Sequence, residues 1–160
     1  MEESASKQVW SDYSEPATRA PICVTSCRGV GSWREHQAFV VSAELRAVGG
    51  HTVAVTGDQK GDVKLWDARR PSSVRTFHTV SDVMTMAVHP TADLLACGSV
   101  NQYISLYTLT GESLNTIRYH DGFMGQRIGP VSCLAFHPVR VALAAGSTDS
   151  LVSVYGLPRS

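Results

Sequence analysis

The sequence predicts an all-β fold, built from about three copies of a unit of four short strands and preceded by an irregular segment. From Ala38 onward, apolar runs of four to eight residues alternate with Gly, Pro, Asp, Asn and Ser. Valine outnumbers leucine 19 to 11, which favours strands over helices. Three segments also align without gaps, each with a glycine nine residues before an aromatic residue: Gly57 and Trp66, Gly98 and Tyr107, Gly146 and Tyr155.

Length and composition exclude several classes of protein. A chain of 160 residues is at most one ordinary domain, and a hydrophobic fraction of 43 % indicates a buried core. Lysine plus arginine number 14, as do aspartate plus glutamate, so no net charge attracts nucleic acid or anionic lipid. No signal peptide or membrane-spanning run is recognisable. We expect a cytoplasmic protein with reduced cysteines, no nucleic-acid partner and no membrane insertion.

Two unlike parts make up the chain. Residues 1–36 mix Ser, Glu, Pro, Arg and Gly without a sustained period of 2 or 3.6 residues, which predicts a flexible lead-in. The repeats occupy residues 37–157. The first copy covers 37–80, with strands expected near 38–45, 52–57, 62–67 and 73–79. Residues 39–48 also have apolar side chains at helical spacing, but the Gly-Gly pair that follows and the repeat register favour a strand.

The second and third copies follow the same order. The second covers 81–119, with strands near 83–88, 94–99, 102–108 and 113–119. The third covers 130–157 and lacks its fourth strand, the others lying near 131–136, 141–146 and 151–155. His89-Pro90 and His137-Pro138 close the first strand of these two copies, whereas position 48 of the first copy has no such pair. The glycine spacing grows from 41 to 48 residues, which predicts a loop insertion at 120–129.

A unit of this length that contains Leu65-Trp66-Asp67 resembles the WD repeat of β-propellers. In that fold each four-stranded sheet, or blade, is apolar on both faces and packs against its neighbours. Closed propellers have about four to eight blades, and this chain holds a little under three. We therefore predict a partial β-propeller of about three WD-type blades, whose end faces need further blades or a partner chain.

Residues 119–138 and 96–102 resemble the C-terminal propeller of the Raptor family, the regulatory-associated proteins of the TOR kinase. The resemblance runs from about Trp33 to Tyr155 and includes the insertion, whereas residues 1–32 do not match. It implies a non-catalytic scaffold that binds proteins in nutrient-responsive TOR signalling and in the regulation of cell growth. The implied partners are TOR kinase complex subunits and the rest of the propeller. The family's substrate capture and kinase docking belong to other domains, so no site residue carries over.

WD blades often join His, Ser or Thr, Asp and Trp in a buried hydrogen-bond network. The first copy offers His36, Thr56 and Trp66 but has Lys60 where the aspartate is expected. The third copy has an aspartate but lacks the tryptophan and the hydroxyl residue, since Tyr155 and Ala145 stand there. We expect no complete network, with blades held mainly by apolar packing.

The sequence predicts no catalytic, cofactor-binding or metal-binding residue. It contains no Gly-x-Ser-x-Gly elbow, phosphate loop or His-Glu-x-x-His helix. Cys23, Cys27 and His36 are at most an incomplete zinc site. We expect Cys97 and Cys133 to be small core residues within strands, and the histidines of the two His-Pro pairs to bond nearby turn backbone.

The glycine-flanked insertion carries the candidate partner-binding residues: Phe123, Met124, Gln126 and Arg127. Aromatic, Met and Arg side chains are enriched at protein interfaces. In the alternative, Phe123 and Met124 fold back as a plug over the blades while Arg127 remains solvated. Three alternatives for function also stay open: a WD-repeat adaptor of another pathway, such as substrate recognition for ubiquitin transfer, a propeller-based hydrolase, and a truncated product without independent function.

Overall fold

The computed structural model describes residues 32–48, 50–67, 69–79, 82–118 and 127–156, and within them every regular element is a β-strand. These strands form three antiparallel sheets. Of the predicted flexible segment 1–36, residues 1–31 lie outside the described residues. The predicted all-β class is confirmed.

The first sheet has the order β1 (Val40–Val48), β2 (His51–Asp58), β3 (Asp62–Asp67) and β4 (Arg75–His78). Residues 40–48 are thus a strand, as the repeat register predicts, and not a helix. The hairpin between β1 and β2 pairs Val48 with His51. Gly50 in this two-residue turn has φ of +78°, a conformation that favours glycine.

The second sheet contains β5 (Val83–Val88), β6 (Leu95–Ser99), β7 (Ile104–Tyr107) and β8 (Ser113–Ile117). The third contains β9 (Val131–Phe136), β10 (Ala142–Ser147) and β11 (Val152–Gly156), and no fourth strand among the described residues. Every strand end lies within three residues of its predicted position. The predictions succeed because turn residues bound each strand in the sequence.

The pairing registers show one difference between the copies. Val88 pairs with Leu95 and Phe136 with Leu143, seven residues apart in both cases, whereas Leu45 pairs with Ala54, nine residues apart. The first hairpin is therefore two residues longer. As a result, the structural equivalent of His89 and His137 is Arg46, and not the residue at position 48.

The core lies between the sheets and not within any one of them. Between the first and second sheets, the buried side chains include Val55, Val63, Met86, Leu95 and Tyr107. Burying one such side chain stabilises the fold by roughly 1.5–3 kcal/mol, so a single sheet loses most of its stabilisation without a neighbour. A second buried cluster joins the second and third sheets: Ala96, Ile104, Ile128, Val131, Leu143 and Ala145.

The first strands of successive sheets lie side by side, β1 beside β5 and β5 beside β9. This is the arrangement of propeller blades around an axis. The structure is therefore a partial β-propeller, and we call the three sheets blade 1, blade 2 and blade 3 in chain order.

Candidate protein-interaction surfaces

The described end of the insertion is anchored between blades 2 and 3. The backbone N–H of Ile128 donates to the Arg118 carbonyl at 3.2 Å, and the Ile128 side chain is buried in the second core cluster. Gly129 is packed so closely against Asp149 that a Cβ there would lie 2.5 Å from a carboxylate oxygen. Arg127, the residue before Ile128, is exposed. The other three candidate residues, Phe123, Met124 and Gln126, lie outside the described residues.

Blade 1 contains the complete polar network that the sequence did not predict. The indole N–H of Trp66 donates to Thr56 Oγ1 at 2.7 Å, and Thr56 Oγ1 lies 2.6 Å from His36 Nε2. His36 Nδ1 lies 3.0 Å from a carboxylate oxygen of Asp58. The expectation that no copy is complete is therefore wrong. The repeat pattern places the carboxylate at position 60. Asp58, two residues earlier, supplies it instead.

Asp58 is fully buried, and its other carboxylate oxygen accepts the backbone N–H groups of Lys60 and Asp62, each at 3.0 Å. Burial raises the pKa of Asp58, but the hydrogen bonds from Asp62, His36 and Lys60 outweigh that effect and hold the pKa below its ordinary value. The network thus closes the β2–β3 turn around an ionised carboxylate. Its role is structural.

The same hydrogen bond crosses both blade junctions. At the first junction Arg46 Nη1 donates to the Ala92 carbonyl at 2.8 Å. At the second, His89 Nε2 donates to the Arg140 carbonyl at 3.2 Å. Arg46 and His89 are equivalent in the repeat, as are Ala92 and Arg140. We call this contact the junction bond.

The ring of His89 also bonds its own turn, as the sequence predicts. His89 Nδ1 accepts the backbone N–H groups of Thr91 and Ala92, at 3.2 and 2.9 Å, so its proton is on Nε2. His137 Nδ1 accepts from Val139 and Arg140 in the same way, at 3.1 and 3.0 Å. In blade 3 the turn is therefore built like that of blade 2, but the described residues provide no third junction.

Comparing the two histidines measures what the His89 ring contributes across the junction, namely its bond to Arg140 and its edge-on contact with Phe136, with ring centroids 5.3 Å apart. We expect His89→Asn to lower the free energy of unfolding by about 1–2 kcal/mol, because the shorter amide reaches the turn N–H groups but not the next blade. His137→Asn, the matched control, is expected to change it by less than about 0.5 kcal/mol. Urea unfolding followed by tryptophan fluorescence measures both. Equal losses of unfolding free energy in the two variants would show that the histidine ring stabilises the turn and not the junction.

Both junctions open into a cleft at equivalent positions. The cleft between blades 1 and 2 has a volume of about 440 Å³, and that between blades 2 and 3 about 210 Å³. Leu65 lines the first cleft, and its repeat equivalent Leu106 lines the second. Because each junction has such a cleft, we attribute the clefts to the way blades diverge from the axis and not to a dedicated ligand site.

Blade 3 has an exposed apolar face on the side away from blade 2. We call it the open face: Cys133, Ala135, Ala144, Val152 and Val154. Val152 and Val154 are 73 % and 72 % exposed. Their repeat equivalents in blade 2, Ile104 and Leu106, are fully and partly buried against blade 3. The open face thus has the composition of a blade junction without the neighbouring blade.

Blade 1 is partly uncovered on its opposite side. Val40 and Leu45 are 51 % and 71 % exposed, whereas their equivalents in blade 2, Val83 and Val88, pack in the core against blade 1. The outer part of this face is covered, because Trp33 stacks on Trp66 with ring centroids 5.2 Å apart. Among the described residues, blade surface is therefore left uncovered on both sides of the propeller.

The cysteines and the other titratable groups form no metal site in the described part of the chain, where no group of three or more His, Cys, Asp and Glu is placed to hold an ion. Burial raises the pKa of the Cys97 thiol to about 12. Cys133 is exposed on the open face, contrary to its prediction as a core residue. Cys23 and Cys27 lie outside the described residues. The described part of the chain contains no helix that is long and apolar enough to cross a membrane.

A family described as WD domain, G-beta repeat matches residues 71–108 and 111–156, more than half of the chain. The chain belongs to the WD-repeat family. Blades 2 and 3 lie within the matched residues, and blade 1 follows the same strand order with the Trp-Asp dipeptide at the end of β3.

This WD-repeat chain is also similar to larger proteins. It is 46 % identical over 105 residues to the protein raptor homolog of Dictyostelium discoideum, a match covering 65 % of this chain and 7 % of the relative. It is 35 % identical over 95 residues to the target of rapamycin complex 1 subunit mip1 of Schizosaccharomyces pombe, covering 59 % of this chain and 7 % of the relative. These relatives confirm the resemblance to the Raptor family. The chain spans only a small part of their length.

A solved structure shares the fold. The crystal structure of Chaetomium thermophilum Raptor superposes with a TM-score of 0.68, at 23 % sequence identity, and the match covers 79 % of this chain and 12 % of that chain. At this identity the superposition shows the fold alone. It confirms that blades of this kind occur within a much longer polypeptide.

Proposed function

We propose that the chain is a non-catalytic scaffold element of a TOR kinase complex, located in the cytoplasm. It acts by binding proteins in nutrient-responsive signalling and in the regulation of cell growth. The similarity to the Dictyostelium raptor homolog carries this proposal, together with the Schizosaccharomyces relative that is by name a TOR complex 1 subunit. Its partners are subunits of the TOR kinase complex and further blades of the propeller.

The blade structure supports a binding role. Apolar packing, junction bonds and the network of Asp58 hold the blades, so the buried polar groups of blade 1 serve the fold. What is left for partners is the surface: the open face, the uncovered part of blade 1, and the insertion at 120–129. Exposed apolar surface of this kind is typical of proteins that act in assemblies.

We assign partner contact to the insertion. Ile128 is buried between blades 2 and 3 and anchors the end of the insertion there. Arg127 is exposed beside it. The insertion carries aromatic, Met and Arg residues, and residues of these types are enriched at protein interfaces.

The experiment is co-purification of the TOR kinase with the tagged chain. We expect Phe123→Ala plus Arg127→Ala to lower the recovered kinase about tenfold, the effect of losing one hot spot. Val139→Ala plus Arg140→Ala is the matched control, because it removes an exposed apolar residue and an arginine from another loop of blade 3. Unchanged recovery with the first variant would reject the insertion as the contact. Recovery of a different assembly from unaltered chain would reassign the protein as an adaptor of another pathway.

A further inference from the structure

The last strand of blade 2, β8, has an unpaired outer edge. It is the final strand in the order of its sheet, where β7 pairs with its inner edge and no described strand pairs with the other. Further blades would cover the faces of the terminal blades, but the radial repetition of blades leaves such outer edges in place. The exposure of β8 therefore does not depend on how the propeller is completed.

No charge blocks this edge. Exposed edge strands are commonly protected by charged residues, since these resist the addition of another strand. β8 has the uncharged sequence Ser-Leu-Asn-Thr-Ile, of which the first four residues are exposed, Leu114 by 50 %. β4, the equivalent strand of blade 1, instead carries Arg75 and His78, both exposed. Of the two outer edges, that of blade 2 is therefore better suited to accept a strand from a partner.

The backbone N–H of Thr116 faces the free edge. It donates to Asn115 Oδ1 at 2.8 Å. Blade 1 shows the same orientation at Thr76, which pairs with β3 as Thr116 pairs with β7. Because the Thr79 N–H donates inward to the Gly61 carbonyl, and N–H groups alternate between the two sides of a strand, the Thr76 N–H points outward. The Asn115 amide oxygen therefore occupies the place of a carbonyl from an added strand.

Two arginines meet where β8 ends and the insertion returns to the blades. Arg118 follows β8 directly, and its carbonyl accepts the N–H of Ile128, so Arg118 and Arg127 flank the same point of the backbone. Both arginines are exposed, and neither forms an ion pair with a described acid. The Arg118 guanidinium lies over the Tyr103 ring, 5.9 Å from its centroid. The edge of β8 is thus continuous with the insertion through two unpaired positive charges.

These charges are concentrated at this point. Arg118 and Arg127 are two of the three Lys and Arg residues in the described parts of blades 2 and 3, and the third, Arg140, lies in the turn between β9 and β10. Asp149, the acid that packs on Gly129, accepts from residues of its own turn and not from either arginine. The charge at the base of the insertion therefore favours an acidic partner.

We propose that an extended segment rich in Asp or Glu adds to β8 as a fifth strand of blade 2. A carbonyl of this segment replaces Asn115 Oδ1 as the acceptor of the Thr116 N–H, and its carboxylates meet Arg118 and Arg127. Main-chain hydrogen bonds supply affinity in this mode of binding, and charge selects the segment. The inference rests on the proposed function, because it names the chemistry of the partner that reaches the insertion.

Co-purification of the TOR kinase with the tagged chain tests the strand addition. Thr116→Pro removes an N–H that the β7–β8 ladder does not use, and proline is tolerated on edge strands. We expect it to lower the recovered kinase about tenfold. Thr76→Pro, at the equivalent position of β4, is the matched control and is expected to leave recovery unchanged. Urea unfolding checks that both variants are folded.

The outcomes separate this inference from the proposed function. Full recovery of the kinase with folded Thr116→Pro overturns the strand addition and leaves the proposed function standing. Equal losses with Thr116→Pro and Thr76→Pro also overturn it, because the edge of blade 2 would then have no special role. Absence of kinase with the unaltered chain rejects the proposed function, and this inference with it.

Reversing one charge tests the acidic character of the partner. Arg118→Glu is an exposed substitution outside the strand, so the fold is retained even if a proline variant unfolds. We expect it to lower the recovered kinase about tenfold, because a carboxylate would then face the carboxylates of the partner. Arg140→Glu is the matched control with the same change of charge and is expected to have no effect. Equal recovery with the two variants overturns the assignment of an acidic partner.

Amide hydrogen exchange locates the added strand. In the purified complex, the amides of β8 are expected to exchange several-fold more slowly than in the free chain, because their edge gains a neighbour. The amides of β4 are expected to keep their rate. Unchanged exchange in β8 while the kinase is bound overturns the proposal, because the partner would then make its contact without adding a strand.

Discussion

Replacing Gly98 by alanine is expected to lower the free energy of unfolding by about 2–3 kcal/mol. Gly98 lies in β6, where blade 2 meets the first strand of blade 3. A Cβ at this position would lie 2.6 Å from Val131 Cγ1 and 2.9 Å from Thr85 Cγ2. Both neighbours are β-branched, with few rotamers to adopt, and Val131 is buried in the junction. The added methyl group therefore pushes blades 2 and 3 apart.

The repeat provides matched controls for this substitution. Gly146 is the equivalent position in blade 3, where a Cβ would meet only the Cys133 sulfur at 2.6 Å and the Ser132 hydroxyl at 3.9 Å. Cys133 is exposed and can rotate away, so Gly146→Ala is expected to cost less than about 1 kcal/mol. At Gly57 in blade 1 the close neighbour is the flexible Met86, with its sulfur at 3.2 Å. We expect an intermediate loss there.

Urea unfolding of the three variants, followed by tryptophan fluorescence, gives the order of the losses. Gly98 should show the largest loss, because only this glycine faces branched side chains that are held in a built junction. An equal loss of unfolding free energy at Gly98 and Gly146 would mean that glycine is required by the strand itself and not by the close approach of the next blade.

The repeat predicted the fold because its signals are local. The spacing of Gly57 and Trp66 recurs in the next two copies, and turn residues mark where each strand ends. Alternation within a strand and glycine at turns are properties of neighbouring residues, so they survive in a single sequence. That is why three blades and their strands could be placed without coordinates.

The side-chain contacts could not be predicted, because they depend on how far a group reaches in space. A gapless alignment hides the two extra residues of the first hairpin, and with them the equivalence of Arg46 and His89. It also assigns the network carboxylate to position 60, whereas Asp58 reaches His36 from the other side of the turn. The role of Trp33 was missed because the segment around it has no strand pattern of its own.

Asp58→Ala is expected to lower the free energy of unfolding by about 3 kcal/mol at neutral pH. The buried carboxylate accepts from Lys60 N–H, Asp62 N–H and the ring of His36, and its loss leaves these donors without acceptors. The effect also passes along the network. Trp66 donates to Thr56, whose hydroxyl hydrogen is then left for His36 Nε2, and His36 Nδ1–H donates to Asp58.

The pH dependence of this loss distinguishes the charge from the shape of the side chain. The folded pKa of Asp58 lies below the unfolded value because its hydrogen bonds outweigh the cost of burial. A carboxylate with a lowered folded pKa contributes stability that is fully present above its unfolded pKa, and that contribution disappears as the pH falls through the folded pKa. The difference between the unaltered chain and Asp58→Ala should therefore shrink as the pH falls below about 4.

Glu112→Gln is the control for this pH series, because Glu112 is an exposed carboxylate in blade 2. It is expected to change the free energy of unfolding by less than about 0.5 kcal/mol throughout the pH range. A difference for Asp58→Ala that stays constant down to pH 3 would show that the residue acts by filling space. A difference that shrinks in acid, with the control flat, would show that an ionised carboxylate holds the β2–β3 turn and places Trp66 beneath Trp33, where blade 1 receives its outermost cover.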